Sequence, residues 1–244
     1  MSSEISIPPP PPPPSPPTDE SAGAQRALGP GRAFGGIAIL LVLVTVEAGI
    51  ISIFDPHLKA IGAKLGLQAL LALTLAGVAF AMASRGGGLA ASEALGLRRP
   101  ERSALRLAVV AYIAYFAFAI AYSTLVNPHQ KDLTRDLGYG DGAAASITAG
   151  VLIILAAPIS EEIFFRGLLF GGLRRRLPFA VAAVISAAIF GAFHYTGPGS
   201  LGVLPQLAML GLTQAWLYER SGSIYPTMGV HIINNALAFA ILTH

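Results

Sequence analysis

Residues 158–166 read Pro-Ile-Ser-Glu-Glu-Ile-Phe-Phe-Arg and close a long apolar run that begins near Ala143. Two adjacent carboxylates and a guanidinium thus stand where hydrocarbon is the expected surrounding. An ionised side chain at bilayer depth costs roughly 2.5–3.5 kcal/mol on insertion scales, and such residues mark function by default. On a helix Glu162 and Arg166, four positions apart, share a face and can pair. Glu161 is turned about 100° from its neighbour and is free to face something else.

Composition points to the same solvent. The mean hydropathy is +0.64, and only 12% of the 244 residues are charged, about half the share of a soluble domain. The expected fold is all-α, a polytopic transmembrane helical bundle of about seven spans. The absence of cysteine removes disulfides, a thiol nucleophile and thiolate metal ligation. The net charge of +3 lies in the segments between apolar runs. That placement argues for membrane orientation and against nucleic acid as a partner.

Working outward, the chain opens with an unbroken proline run from Pro8 to Pro14, which favours an extended helix without a core. Residues 1–32 are therefore expected to be a disordered tail and 33–244 the transmembrane domain. Spans are expected at about 33–54, 67–84, 105–126, 143–174, 178–195, 201–218 and 225–242, with a short interfacial segment over 89–104. Glu47, inside the first span, is expected to be partnered by a neighbouring helix. The fourth segment is too long for one straight crossing. Pro158 lacks a donor for the carbonyl of Ile154, so a bend is expected just before Glu161. Seven spans with the N-terminus inside place eleven basic residues on the cytoplasmic side and four outside, the bias that orients multi-pass proteins.

Two more pairs repeat a spacing of four and each brings a polar side chain into an apolar run: Phe190 with His194, and His231 with Asn235. Each pair projects from one helical face. A buried histidine alone is more often structural than catalytic. An acid, two imidazoles and a carboxamide together supply a general base, its orienting partner and donors for an oxyanion. Glu-Glu-x-x-x-Arg, Phe-x-x-x-His and His-x-x-x-Asn, in that order on late helices, resemble the motifs of the CAAX protease and bacteriocin-processing family. The resemblance covers about residues 95–242, the expected peptidase core, and Leu-Gly-Leu-Arg-Arg-Pro at 95–100 fits the amphipathic segment before it.

That resemblance implies an intramembrane glutamic endopeptidase in the cell membrane, acting on a membrane-associated, CAAX-type or related peptide or protein. Its catalytic set would be Glu161, Glu162, Arg166, His194, His231 and Asn235. Glu161 would take a proton from water that His194 helps to hold, and His231 and Asn235 would stabilise the oxyanion. Glu162 and Arg166 would support them. No cofactor is implied. Zinc is the alternative, because Glu161, His194 and His231 offer three suitable ligand atoms, although no His-Glu-x-x-His helix is present. A scaffold, chaperone or immunity protein using the same cluster to tie helices together is the alternative function, and membrane lipids are partners in either case. Counted along the helices, Glu161 and His194 lie about 21 and 24 Å from their cytoplasmic ends and His231 only about 9 Å. The reading requires that this mismatch be reconciled.

Overall fold

The computed structural model describes residues 28–54, 59–84, 88–128 and 132–243. The expected tail lies outside the described residues up to position 27. Among the described residues there is no strand, and the α-helices are α1 (Pro30–Phe54), α2 (Ile61–Ala83), α3 (Gly88–Ala94), α4 (Ser103–Val126), α5 (Leu133–Asp136), α6 (Ala143–Arg174), α7 (Phe179–Phe193), α8 (Leu204–Ser221) and α9 (Tyr225–Thr243). Helix α1 starts three residues earlier than expected, with Pro30 at its first position, where a missing N–H costs nothing. Arg32 fastens that start to α2 by donating to the Met82 carbonyl at 2.7 Å. Glu47 is partnered as expected: Thr74 of α2 donates to its carboxylate at 2.5 Å.

Helix α6 is the axis of the bundle. Every residue from Ser160 to Phe170 is buried, against α1, α2, α7, α8 and α9. The charged stretch thus faces protein on all sides, which is where ionised groups at membrane depth are tolerated. Small residues let its neighbours close in. A side chain at Gly167 would meet the Leu95 carbonyl at 2.8 Å, and one at Gly211 would meet the Ala187 backbone at 3.0 Å, so the 95–98 loop seats on α6 and α8 seats on α7. The outer surface is apolar, with Leu41, Val42, Ile53, Leu105, Val110 and Ile113 exposed, as lipid contact demands.

The protein is a multi-pass membrane protein, and five of the seven expected spans meet the length and hydropathy of a crossing helix. Five helices, α1, α2, α4, α6 and α9, are long and apolar enough to cross. The 15 residues of α7 extend about 22 Å, short of a hydrocarbon core near 30 Å thick. Helix α8 has 18 residues but carries Gln206, Gln214, Glu219 and Arg220, so it falls below the hydropathy of a lipid-facing span. Its ends are nonetheless well separated. Tyr122, late in α4, donates to the Gly202 carbonyl just before α8 at 2.8 Å. At the other end Glu219 accepts from Arg174 at 2.8 Å. There the start of α9 is clamped as well: Ile224 N–H donates to the Gly96 carbonyl at 3.0 Å and Ser223 Oγ to that of Arg98 at 2.6 Å.

Candidate active site

The site is built on an irregularity of α6. Residues Leu152–Ala156 and Glu162–Phe170 follow π turns, with Ala157 N–H donating to the Leu152 carbonyl and Gly171 N–H to that of Arg166, five residues back. The expected bend at Pro158 is therefore relieved by a change of helical register, and the consequence falls on a different carbonyl from the one expected. In the π register the donor for Ile153 would be residue 158, and proline has none. Asn235 of α9 supplies the bond instead, its Nδ2 donating to the Ile153 carbonyl at 3.0 Å. A second carbonyl in this stretch, that of Phe165, accepts from Ser186 of α7 at 3.3 Å. Such π turns within helices are rare and recur at functional sites.

From this backbone Glu162 and Arg166 point into the bundle and are almost wholly inaccessible, at 0% and 1%. Arg166 Nη1 lies 3.2 Å from Glu162 Oε1, and the guanidinium stacks on the Phe190 ring, 4.4 Å from its centroid. Its Nη2 donates to Gln214 Oε1 of α8. Glu162 Oε1 also meets His231 Nδ1 at 2.8 Å.

On the other side, Phe190 and His194 terminate α7. The last turn tightens so that His194 N–H bonds Gly191 at 3.0 Å. The Phe190 carbonyl, released from its usual helical donor, sits 2.9 Å from His194 Nδ1. The His194 and His231 ring centroids lie 4.8 and 5.8 Å from that of Phe190. Both Nε2 atoms then reach the same atom, Glu161 Oε2, at 3.8 Å each.

These partners fix the protons. A carbonyl oxygen only accepts, so His194 Nδ1 carries the hydrogen. Glu162, paired with Arg166, turns Oε1 to His231 Nδ1, which makes Nδ1 the donor there as well. In the neutral form of each ring this leaves a lone pair on Nε2. Glu161 Oε2 is buried without a partner. Three acceptor atoms therefore converge at separations too long for direct bonding and short enough for one donor molecule, such as water, to reach more than one of them. Access comes past His194, whose side chain is 30% exposed, against 3% for His231. Among the described residues no three His, Cys, Asp or Glu side chains form a group able to hold a metal ion.

Of the six residues expected from sequence, five are linked by contacts: Glu161, Glu162, Arg166, His194 and His231. Asn235, one turn beyond His231, is engaged with the backbone of α6. Sequence reasoning missed Gln214, a neutral side chain in a helix of mixed polarity. It also gave the Phe190 ring no role under Arg166.

Residues 143–237, which include all six expected site residues and Gln214, match the family model "Type II CAAX prenyl endopeptidase Rce1-like". Over 151 residues the chain is 27% identical to YdiL of Bacillus subtilis (strain 168), a protein named provisionally as a membrane peptidase. That alignment covers 57% of this chain and 58% of YdiL, so the chain spans less than two thirds of its relative. No solved structure matches. On its three motifs and on the match across residues 143–237, the chain resembles the CAAX prenyl endopeptidase family, and with it the membrane proteases.

Proposed function

We propose that the protein is an intramembrane endopeptidase of the glutamic type, oriented with its N-terminus in the cytoplasm. It hydrolyses a peptide bond of a membrane-associated protein or peptide, of which a prenylated CAAX tail is one kind. The observation that carries this reading is the convergence of His194 Nε2 and His231 Nε2 on Glu161 Oε2, each at 3.8 Å. A water molecule among them donates one O–H to Glu161 and the other to an imidazole, which leaves an oxygen lone pair for the scissile carbonyl. The oxygen adds to the carbonyl carbon as Glu161 takes the proton. The resulting oxyanion collapses, the C–N bond breaks, and the proton passes from Glu161 to the leaving amine.

His231, with Nε2 free at rest, serves the oxyanion after taking up a proton from solvent at Nε2, and Glu162 at Nδ1 stabilises that imidazolium. The second N–H of Asn235, not used on Ile153, is a further donor on the same helix. Arg166 offsets one of the two adjacent carboxylates, so the cluster does not bury two uncompensated charges.

The decisive variant is Glu161→Gln, which keeps the shape and removes the base. Purified in detergent and given an internally quenched CAAX-type peptide, farnesylated or bare, the wild type is expected to cleave and the variant to be inactive at unchanged thermal stability. Retained turnover would leave the scaffold or chaperone role as the better account. Treatment with EDTA is expected to leave the rate unchanged, and a loss restored by zinc would replace the metal-free mechanism.

A further inference from the structure

Gln214 is completely buried. Its Oε1 accepts from Arg166 and its Nε2 has no partner. An apolar side chain of the same length would fill this space without burying an unpaired N–H, a cost that an amide incurs. What the position supplies, then, is the oxygen. Arginine offers only donors; Glu162 pairs with Nη1 at 3.2 Å, Nε and Nη1 have no hydrogen-bond partner, and Gln214 is the acceptor for Nη2. A neutral acceptor holds the guanidinium in place without drawing on its charge, which remains committed to Glu162. Glu162 Oε1 faces Arg166 Nη1 at 3.2 Å and His231 Nδ1 at 2.8 Å, so the placement of the guanidinium sets which nitrogen of His231 is turned to a carboxylate acceptor.

We propose that Gln214 is a positioning residue that acts through Arg166 and Glu162 to hold His231 in its Nδ1–H form, with the Nε2 lone pair facing Glu161. Its consequence for turnover rests on the peptidase reading above. The consequence for the histidine does not.

The test uses the full-length protein in detergent, with imidazole nitrogen chemical shifts read by NMR and the His231 resonance identified by its loss in His231→Gln. The wild type is expected to show His231 protonated at Nδ1. Gln214→Glu places a second carboxylate on Arg166 and draws the guanidinium off Glu162, so His231 is expected to switch from Nδ1–H to Nε2–H. With the farnesylated quenched peptide, kcat is expected to fall about 10- to 100-fold, the range for partners that orient a functional histidine, with KM unchanged. Gln214→Met, the same length without an acceptor, takes its place should the first variant not fold, and the same loss in kcat is expected. A wild-type His231 protonated at Nε2, or a Gln214→Glu protein that keeps its Nδ1–H signature, overturns the proposal. If instead Glu161→Gln retains turnover, the peptidase reading falls while the nitrogen shifts still decide the role of Gln214.

Discussion

At the residue scale, Phe190 shows how one side chain serves several partners. Its carbonyl holds His194, and its ring lies under Arg166 and beside both imidazoles. A desolvated cation over an aromatic face is worth about 2 kcal/mol. Phe190→Leu keeps the carbonyl and loses the face, so it should lower stability by roughly that amount, measured by thermal unfolding in detergent. An unchanged midpoint would show that the stacking contributes nothing. The glutamates, Arg166 and the histidines were legible in the sequence because charge and imidazole are conspicuous in apolar runs. The ring of Phe190 was not, since a phenylalanine in a membrane helix looks like lipid contact. Nor was Gln214, because nothing in a mixed-polarity helix distinguishes an amide facing solvent from one facing a buried guanidinium.

At the scale of the element, α6 couples a proline to an asparagine 77 positions later. Removing the Asn235 amide leaves the Ile153 carbonyl unanswered, and Asn235→Ala should cost about 1–3 kcal/mol. Pro158→Ala restores an N–H to the position that the π register assigns to that carbonyl. In the Pro158→Ala background the second substitution should therefore cost less. Strict additivity of the two unfolding free energies would break the link, since only residues that share a partner couple by more than about 0.5 kcal/mol. The sequence announced a disturbance at Pro158 but not its form. Proline removes one donor in either register, and the choice between a bend and π turns depends on whether another helix offers a side chain to the exposed oxygen. The depths counted along the helices disagreed for a related reason: they assumed that every helix starts in one plane. The contacts of 3.8 Å between Glu161 and both imidazoles show that the helices do not.

Across the whole molecule, the loops at 95–98, 174–178 and 219–224 gather at one end of the bundle, held by the Arg174–Glu219 pair and the bonds to Gly96 and Arg98. The loop before α8 meets Tyr122 and Pro128 at the far end of α4. With no native cysteine, single introduced cysteines report side by side. Arg99→Cys, Arg176→Cys and Arg220→Cys should all react with an impermeant maleimide from the cytoplasmic face, and Gly199→Cys only from the opposite face. Labelling of Gly199→Cys from the cytoplasm would make α7 and α8 a hairpin that never leaves that side. The sequence marked α8 as an apolar run at 201–218, but its mean hydropathy stays below that of the five longer apolar helices because part of it, Gln214 included, serves protein neighbours. The bond between Asn235 and Ile153 has a wider meaning for this bundle. Greasy helices in oil slide past one another with little penalty, and a slip of α9 by one turn, about 5.4 Å, would put Asn235 at the height of His231. The amide on α9 works as a locking pin for the thread pitch of the bundle. Without the pin, some other contact must keep the last helix from creeping out of alignment with Glu161 and Glu162.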